Sequence, residues 1–335
     1  MIRKLLTMAF MVALVTSVAG ARTWQPDALL GPRYVTTTVS QPDDYSGHVV
    51  STVIKSAGRP CPDARTAVLY VHGFNDYFFQ DSLAHYFDSH CMPFYAVDLR
   101  KYGRSYRPGQ QLFQVRDMRE YYADIDSALA VMAEDGYRNV ILMGHSTGGL
   151  TTSLYMSERH PVQVKALILN SPFLDWNLSP ALERLGVPAV SSVAPLLGGM
   201  KINTGSSPRY FESLRPYARM DTTLKLPTGA RVDARWMRAI DNAHADLQNH
   251  TGRIQVPVLL MHSAESAYEG DPDEKFDRAD AVLDVDDIRR YGRTLGPDVT
   301  EFTVHGGLHD LFTGPETVTR PLMDKTMDWL HRRGL

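Results

Sequence analysis

Residues 142–150 read LMGHSTGGL, and the fold turns on how Ser146 sits among its glycines. The core of the stretch, Gly144-His145-Ser146-Thr147-Gly148, has the form G-x-S-x-G. The apolar run VILM (140–143) ends inside it, and a small-residue, helix-compatible run follows it. Such a stretch is either a glycine-rich turn or a nucleophile held on a tight strand-to-helix elbow. In the second case the glycines let neighbouring backbone approach where a Cβ would obstruct, and the helix N-terminus favours developing negative charge.

Outward from this point the chain alternates apolar and amphipathic runs. TAVLYV (66–71), PFYAVDL (93–99), NVILMG (139–144) and VKALILN (164–170) read as buried strands. Between them, 77–90 and 147–160 read as helices, and Met118, Tyr122, Ile125, Leu129 and Met132 mark one helix face by steps of three and four. The pattern resumes at VPVLLMHS (256–263) and VTEFTVHG (299–306) and ends in a helix over 316–333. PRYVTTTVS and GHVVSTVIKS, ahead of it all, read as two antiparallel starter strands. The expectation is a mostly parallel, eight-stranded sheet with helices on both faces. Residues 174–255 show no clear strand and are too long for a plain loop, so they are expected to form a cap inserted between strands six and seven. The core then spans 22–173 and 256–335.

The chain has 335 residues, 44% hydrophobic and 22% charged, which suits a globular protein with a sizeable core. A formal charge of −3 and the lack of a basic run give no reason to expect a nucleic-acid partner. The start differs in character: a basic MIRK, an uncharged apolar run to Gly20, and small residues at 19 and 21. The apolar run is shorter than the ~20 residues of a spanning helix, so 1–21 read as a cleaved export signal and the protein as periplasmic or secreted. Two cysteines, Cys61 and Cys91, each precede an apolar run. If those runs are neighbouring parallel strands, a disulfide at one sheet edge is feasible, and it would persist in an oxidising compartment; the alternative is a pair of free thiols.

A serine hydroxyl needs a base to become a nucleophile, and the base needs an orienting acid. His309, in HGGLHDLF, lies just past the strand VTEFTV, where loops at the carboxyl ends of parallel strands build sites; His305 still belongs to the strand end. An oxyanion needs preorganised donors. Thr147 N–H, at the helix start, and Phe74 N–H, in the HGF that follows TAVLYV, are the candidates.

VHGFNDY, DLRKYGRS (98–105), GHSTGG, LNSPF (169–173) and GGLHDL (306–311) together resemble the α/β-hydrolases of the monoacylglycerol lipase and lysophospholipase group, the serine-aminopeptidase-like hydrolases. The resemblance runs from about Val53 to the C-terminus. It implies an α/β-hydrolase fold and a Ser-His-Asp triad. No metal-ligand cluster or dinucleotide fingerprint appears in the sequence, so no cofactor or metal is expected. The chain departs from the pattern at Lys101, where the family usually has glycine. It departs again at the acid, which the family places a few residues after the seventh strand. Ser266 stands there, followed by an acid-rich insertion. DAVLDVDDI within that insertion resembles the family's stretch from the acid onward, which makes Asp280 the first candidate; Asp284, Glu265 and Asp175 remain open.

Two uses of this machinery compete. One is hydrolysis of carboxylic esters, lipid-like or small, as of a monoacylglycerol or lysophospholipid. The apolar stretch 187–200 would then line an acyl pocket or touch a lipid surface, unless it is simply the core of the cap. Phe74, Tyr77, Phe78, Phe79 and Trp176 are candidate mouth residues or core in the same way. The other use is release of N-terminal proline, which needs a cap carboxylate such as Glu183 or Glu212 to hold the substrate ammonium. A non-catalytic binding protein on the same scaffold is the third possibility, disfavoured by the intact Ser146 and His309.

Overall fold

The computed structural model describes residues 22–59, 61–178, 186–194, 201–203 and 208–335. The export signal expected over 1–21 and parts of the expected cap (179–185, 195–200, 204–207) lie outside the described residues. In chain order the main sheet contains β1 (Gln25–Asp27), β2 (Gly31–Ser40), β3 (Val50–Ser56), β4 (Thr66–Val71), β5 (Phe94–Asp98), β6 (Asn139–His145) and β7 (Val164–Asn170). The helices threaded among them are α1 (Asp81–Ser89), α2 (Tyr122–Glu134) and α3 (Thr147–Arg159). The next segment holds α4 (Val187–Val193), β8 (Lys201–Asn203), α5 (Pro208–Leu214), β9 (Arg231–Asp233) and α6 (Ala234–Asn249). The sheet then resumes with β10 (Val258–Ser263) and β11 (Val299–Val304), with α7 (Val285–Gly292) between them and α8 (Glu316–His331) at the end.

The sheet order is β1-β2-β3-β5-β4-β6-β7-β10-β11: antiparallel as far as the β3–β5 pairing, parallel beyond it. Nine strands therefore replace the expected eight. The addition is β1, three residues long and too short for any period to register. It is held by chemistry: the Asp27 carboxylate takes both forks of the buried Arg104 guanidinium at 2.8 and 2.6 Å, and Arg104 also donates to Asp98 at 2.9 Å. Both faces of the sheet are covered at its centre, so the central strands β4, β6, β7 and β10 are mainly apolar yet still alternate. Ala67, Leu69 and Val71 of β4 join the core beneath α2, α3 and α6, while Val68 and Tyr70 join the core beneath α1 and α8. Phe78 belongs to the second of these cores and not to any mouth.

After β4 the chain steps outward to β5 and then returns past β4 to β6. The loops after β4 and β6 therefore leave in opposite directions and open a crevice at the carboxyl ends of the strands. The span 174–255, expected to lack strands, contains the small antiparallel pair β8–β9. α6 packs on α3, and α4 packs on α6. His244 Nε2 donates to the Phe173 carbonyl at 3.0 Å and Gln248 donates to the Leu174 carbonyl at 3.1 Å, tying α6 to the chain just after β7.

Cys61 and Cys91 are joined in a disulfide with Cα atoms 5.3 Å apart. Each precedes one of two neighbouring parallel strands, β4 and β5, which pair Val68 with Phe94. Lys101 has φ 66°, left-handed backbone that glycine adopts freely. Its fully buried ammonium pairs with Asp44 at 2.6 Å and lies 4.1 Å from the centre of the Tyr45 ring.

Candidate active site

β6 ends at His145 and α3 begins at Thr147, leaving Ser146 alone to make the turn. It does so at φ 54°, ψ −120°, which a side chain rarely adopts. The flanking glycines are required by contact. A Cβ on Gly148 would lie 2.3 Å from the carbonyl oxygens of Val71 and His72, and one on Gly144 would lie 2.3 Å from Thr152 Oγ1. The elbow is pinned by Ser146 N–H donating to the Asn170 carbonyl at 3.0 Å and by the Ser146 carbonyl accepting from Phe173 N–H at 3.0 Å.

His309 stands on the loop after β11, where it is buried. Its Nε2 is 2.9 Å from Ser146 Oγ and its Nδ1 is 2.8 Å from Asp280 Oδ2. Asp280 Oδ1 accepts from Val282 and Leu283 N–H at 2.9 and 2.8 Å, so the carboxylate is acceptor-only and its orientation is fixed. Nδ1 must then carry the proton toward Asp280, leaving Nε2 as the acceptor for the serine hydroxyl. The other candidates lie elsewhere. His305 is exposed. Asp284 caps α7, accepting from Asp286 N–H at 2.8 Å. Glu265 offers its backbone carbonyl to Asp280 N–H. Asp175 faces Tyr291 and His244.

The route to Asp280 is the least expected part of the site. The insertion leaves the end of β10, makes an excursion with its own small core of Ala267, Phe276 and Ala279, and returns. Ser266 and Asp280 then pair side by side as a parallel bridge, closed by Asp280 N–H to the Glu265 carbonyl and Ala267 N–H to the Asp280 carbonyl. An aspartate thus stands beside Ser266, at the place in the fold where the motif leads one to expect an acid.

Gly73 lies against the elbow: a Cβ there would be 2.9 Å from Ser146 Cβ. Phe74 and Thr147 consequently border the same space as Ser146 and His309. His72 fixes the base of that loop, with Nδ1–H donating to the Gly73 carbonyl at 2.8 Å and Nε2 accepting from Leu99 N–H at 3.1 Å.

The sequence reading missed the groups that support the histidine. Asp310 is buried and accepts from Asn170 Nδ2 (2.8 Å), Gln80 Nε2 (3.1 Å) and Thr313 Oγ1 (2.8 Å). Burial alone would raise its carboxyl, but His145 and these three donors outweigh that and hold it below the usual range. His145, in the variable position of the motif, donates from Nδ1 to the Asn170 carbonyl at 3.1 Å, and burial lowers its basicity. It packs with its ring centre 4.9 Å from that of His309.

Ser146 and His309 border a cavity of about 510 Å³. Its walls are mostly apolar: Phe74, Phe173, Trp176, Val187, Val190 and Trp236 among them. Phe74 meets Trp236 at 4.6 Å between ring centres, and Phe173 meets Trp176 edge-on at 5.3 Å. Tyr210 of α5 stands edge-on to His309 at 5.5 Å. Of the stretch 187–200, Val187 and Val190 face this space, Val193 is exposed, and 195–200 lie outside the described residues. Lys225 also borders the cavity, with its ammonium on Asp76 at 3.0 Å.

Comparison with known proteins bears on the family and the fold. The family model for serine aminopeptidases of the S33 type matches residues 62–316. A pimeloyl-[acyl-carrier protein] methyl ester esterase of Neisseria meningitidis serogroup C is 28% identical over 216 residues, 62% of this chain and 77% of that protein. Among solved structures, a monoacylglycerol lipase of Paleococcus ferrophilus superposes with a TM-score of 0.61 at 21% identity, covering 82% of this chain and 95% of that one. A soluble variant of the Saccharomyces cerevisiae monoglyceride lipase superposes with a TM-score of 0.66 at 16% identity, covering 88% and 94%.

Proposed function

The chain belongs to the serine aminopeptidase S33 family of α/β-hydrolases, and from that premise we propose that it hydrolyses carboxylic esters through Ser146, His309 and Asp280. One observation carries the reading: the unbroken line from Asp280 through His309 to Ser146 Oγ, opening on an apolar cavity. The esterase named above supports it. His309 Nε2 takes the serine proton as Oγ attacks the ester carbonyl, and Asp280 stabilises the imidazolium that forms. The N–H groups of Phe74 and Thr147 receive the oxyanion. His309 then protonates the leaving alcohol, and water activated by the same nitrogen releases the acid and frees Ser146.

The substrate we assign is a lipid-like or small acyl ester, such as a monoacylglycerol or lysophospholipid, with its acyl group between the aromatic walls and α4. A transient lipid-surface contact through the 187–200 stretch goes with it, read out by vesicle co-sedimentation. The proline-releasing alternative has the family name behind it. Among the described residues that line the cavity, however, none is a carboxylate that could hold an ammonium. Glu212 is exposed and paired with Arg215 at 3.1 Å, and Glu183 lies outside the described residues.

A panel of p-nitrophenyl esters of graded length, monoacylglycerol, lysophospholipid and prolyl-arylamides tests the choice. Ester turnover is expected, and prolyl release without esterase activity reverses the assignment. Ser146→Ala should abolish fluorophosphonate labelling and lower kcat by a factor on the order of 10³ or more while the melting profile is kept. We also propose export with cleavage after Ala21; mass spectrometry of the native protein should find an N-terminus near Arg22, and intact Met1 in the cytosol refutes it.

A further inference from the structure

We propose that the turn 221–226, on the chain returning from α5 toward β9, sets the geometry of the oxyanion hole, with Asn75 and Lys225 as positioning residues. The inference rests on the hydrolase reading above, because it concerns the loop that carries Phe74 N–H.

That loop needs holding. Asn75, directly after Phe74, has φ 51°, left-handed backbone on a residue other than glycine. Its side-chain amide bonds the peptide of Leu226 twice: Nδ2 donates to the Leu226 carbonyl at 2.8 Å, and Oδ1 accepts from Leu226 N–H at 2.8 Å. The next residue, Asp76, accepts from Lys225 Nζ on Oδ1 at 3.0 Å and from Gly73 N–H on Oδ2 at 3.4 Å. Asp76 and Lys225 are 1% and 5% exposed, so moving either one leaves a buried charge without its ion partner. The residue after that, Tyr77, accepts from Asp221 N–H on its hydroxyl at 2.7 Å. Three successive loop residues are thus fastened to one turn.

The turn is rigid in its own right. The Asp221 carbonyl accepts from Leu224 and Lys225 N–H at 3.1 and 2.9 Å. The Asp221 carboxylate accepts from Thr223 N–H and Oγ1 at 2.8 and 2.7 Å. Its other side, Lys225 and Leu226 with the following Pro227, borders the substrate cavity. One short piece of chain therefore contacts the ligand on one side and sets the Phe74 amide on the other. Loosening it moves a donor aimed at charge that exists only in the transition state, so the loss falls on the chemical step and not on binding.

Asn75→Ala removes both amide bonds and penalises the left-handed backbone. In the full chain it should lower kcat on a p-nitrophenyl ester by about tenfold or more, leave KM within about threefold, and slow fluorophosphonate inactivation in step. Asn75→Gly restores backbone freedom without the bonds and should not recover kcat. Asp221→Ala, which loosens the turn from the exposed side, should shift kcat the same way by less, and it serves if the Asn75 variants fold poorly. Amide exchange over 73–77 in the ligand-free protein should quicken in Asn75→Ala, an effect readable without any turnover. Unchanged kcat with unchanged exchange, recovery by Asn75→Gly, or a rise in KM that accounts for the whole loss overturns the clamp. Failure of the wild type to hydrolyse or label, with exchange quickened as expected, overturns the esterase reading and leaves the loop–turn attachment standing.

Discussion

Ser146 and Lys101 both adopt left-handed backbone without being glycine, and for different reasons. Ser146 holds its conformation, at a cost on the order of 1–3 kcal/mol, because the turn presents Oγ to His309. Lys101 gains nothing chemical from its geometry; it is held by the Asp44 ion pair and the Tyr45 ring. Burial lowers the basicity of its amine despite that partner. Lys101→Gly sets two effects against each other. Relief of the backbone returns about 1 kcal/mol, while stranding the half-buried Asp44 costs about 3 kcal/mol. The second wins, so Lys101→Gly should be destabilised by about 2 kcal/mol in a denaturant melt, and adding Asp44→Asn should recover part of it. A Lys101→Gly chain more stable than wild type contradicts this assignment.

Among the elements, the excursion 266–280 sets which acid lies against His309. Asp280 stands at its closing bridge, and Asp284 follows four residues later as the cap of α7. Both are aspartates in one acidic run, but one is fully buried against His309 and the other is partly exposed at the start of α7. Asp280→Asn should therefore lower kcat by a factor on the order of 10³–10⁴, since the amide favours the wrong imidazole tautomer. Asp284→Ala should cost about 1 kcal/mol of stability through the lost cap and leave kcat within about twofold. Matched steady-state kinetics and melts of the two variants check this, and the reverse pattern removes Asp280 from the triad. The same element reaches α5, where Arg209 pairs with Asp273 and lies 5.1 Å from the Phe276 ring centre, so the excursion also braces the helix that carries Tyr210 over His309.

At the scale of the molecule, the disulfide joins the chain ahead of two central strands, 30 residues apart in sequence. Closing a loop of that size restricts the unfolded chain by about 3–4 kcal/mol on the entropic account. A reducing agent should accordingly lower the melting temperature by several degrees without changing kcat at room temperature, because neither cysteine borders the cavity. An equal melt with and without reductant speaks against the bridge. The two cores lie on opposite faces of the sheet, one containing residues of α3 and the other residues of α8.

The alternating architecture was legible in the chain, as were the elbow and the residues that the fold gathers around it, His309, Phe74 and Thr147. Each is local: periodicity marks strands and helices, and Gly144 and Gly148 mark a turn where a Cβ cannot fit. β1 was not legible, because three residues carry no period and the strand is held by a distant Arg104. Nor was β8–β9, whose strands pair across nearly thirty residues. Motif put Asp280 first among four acids, but its contact with His309 exists only in three dimensions, where a bridge to Ser266 cancels the insertion. The fastening of Asn75 and Asp76 to Leu226 and Lys225 left no trace in sequence, since it joins residues about 150 apart. Chemistry written within one turn of chain can be read from the chain, whereas chemistry assembled by closing long loops exists only once packing has brought the ends together.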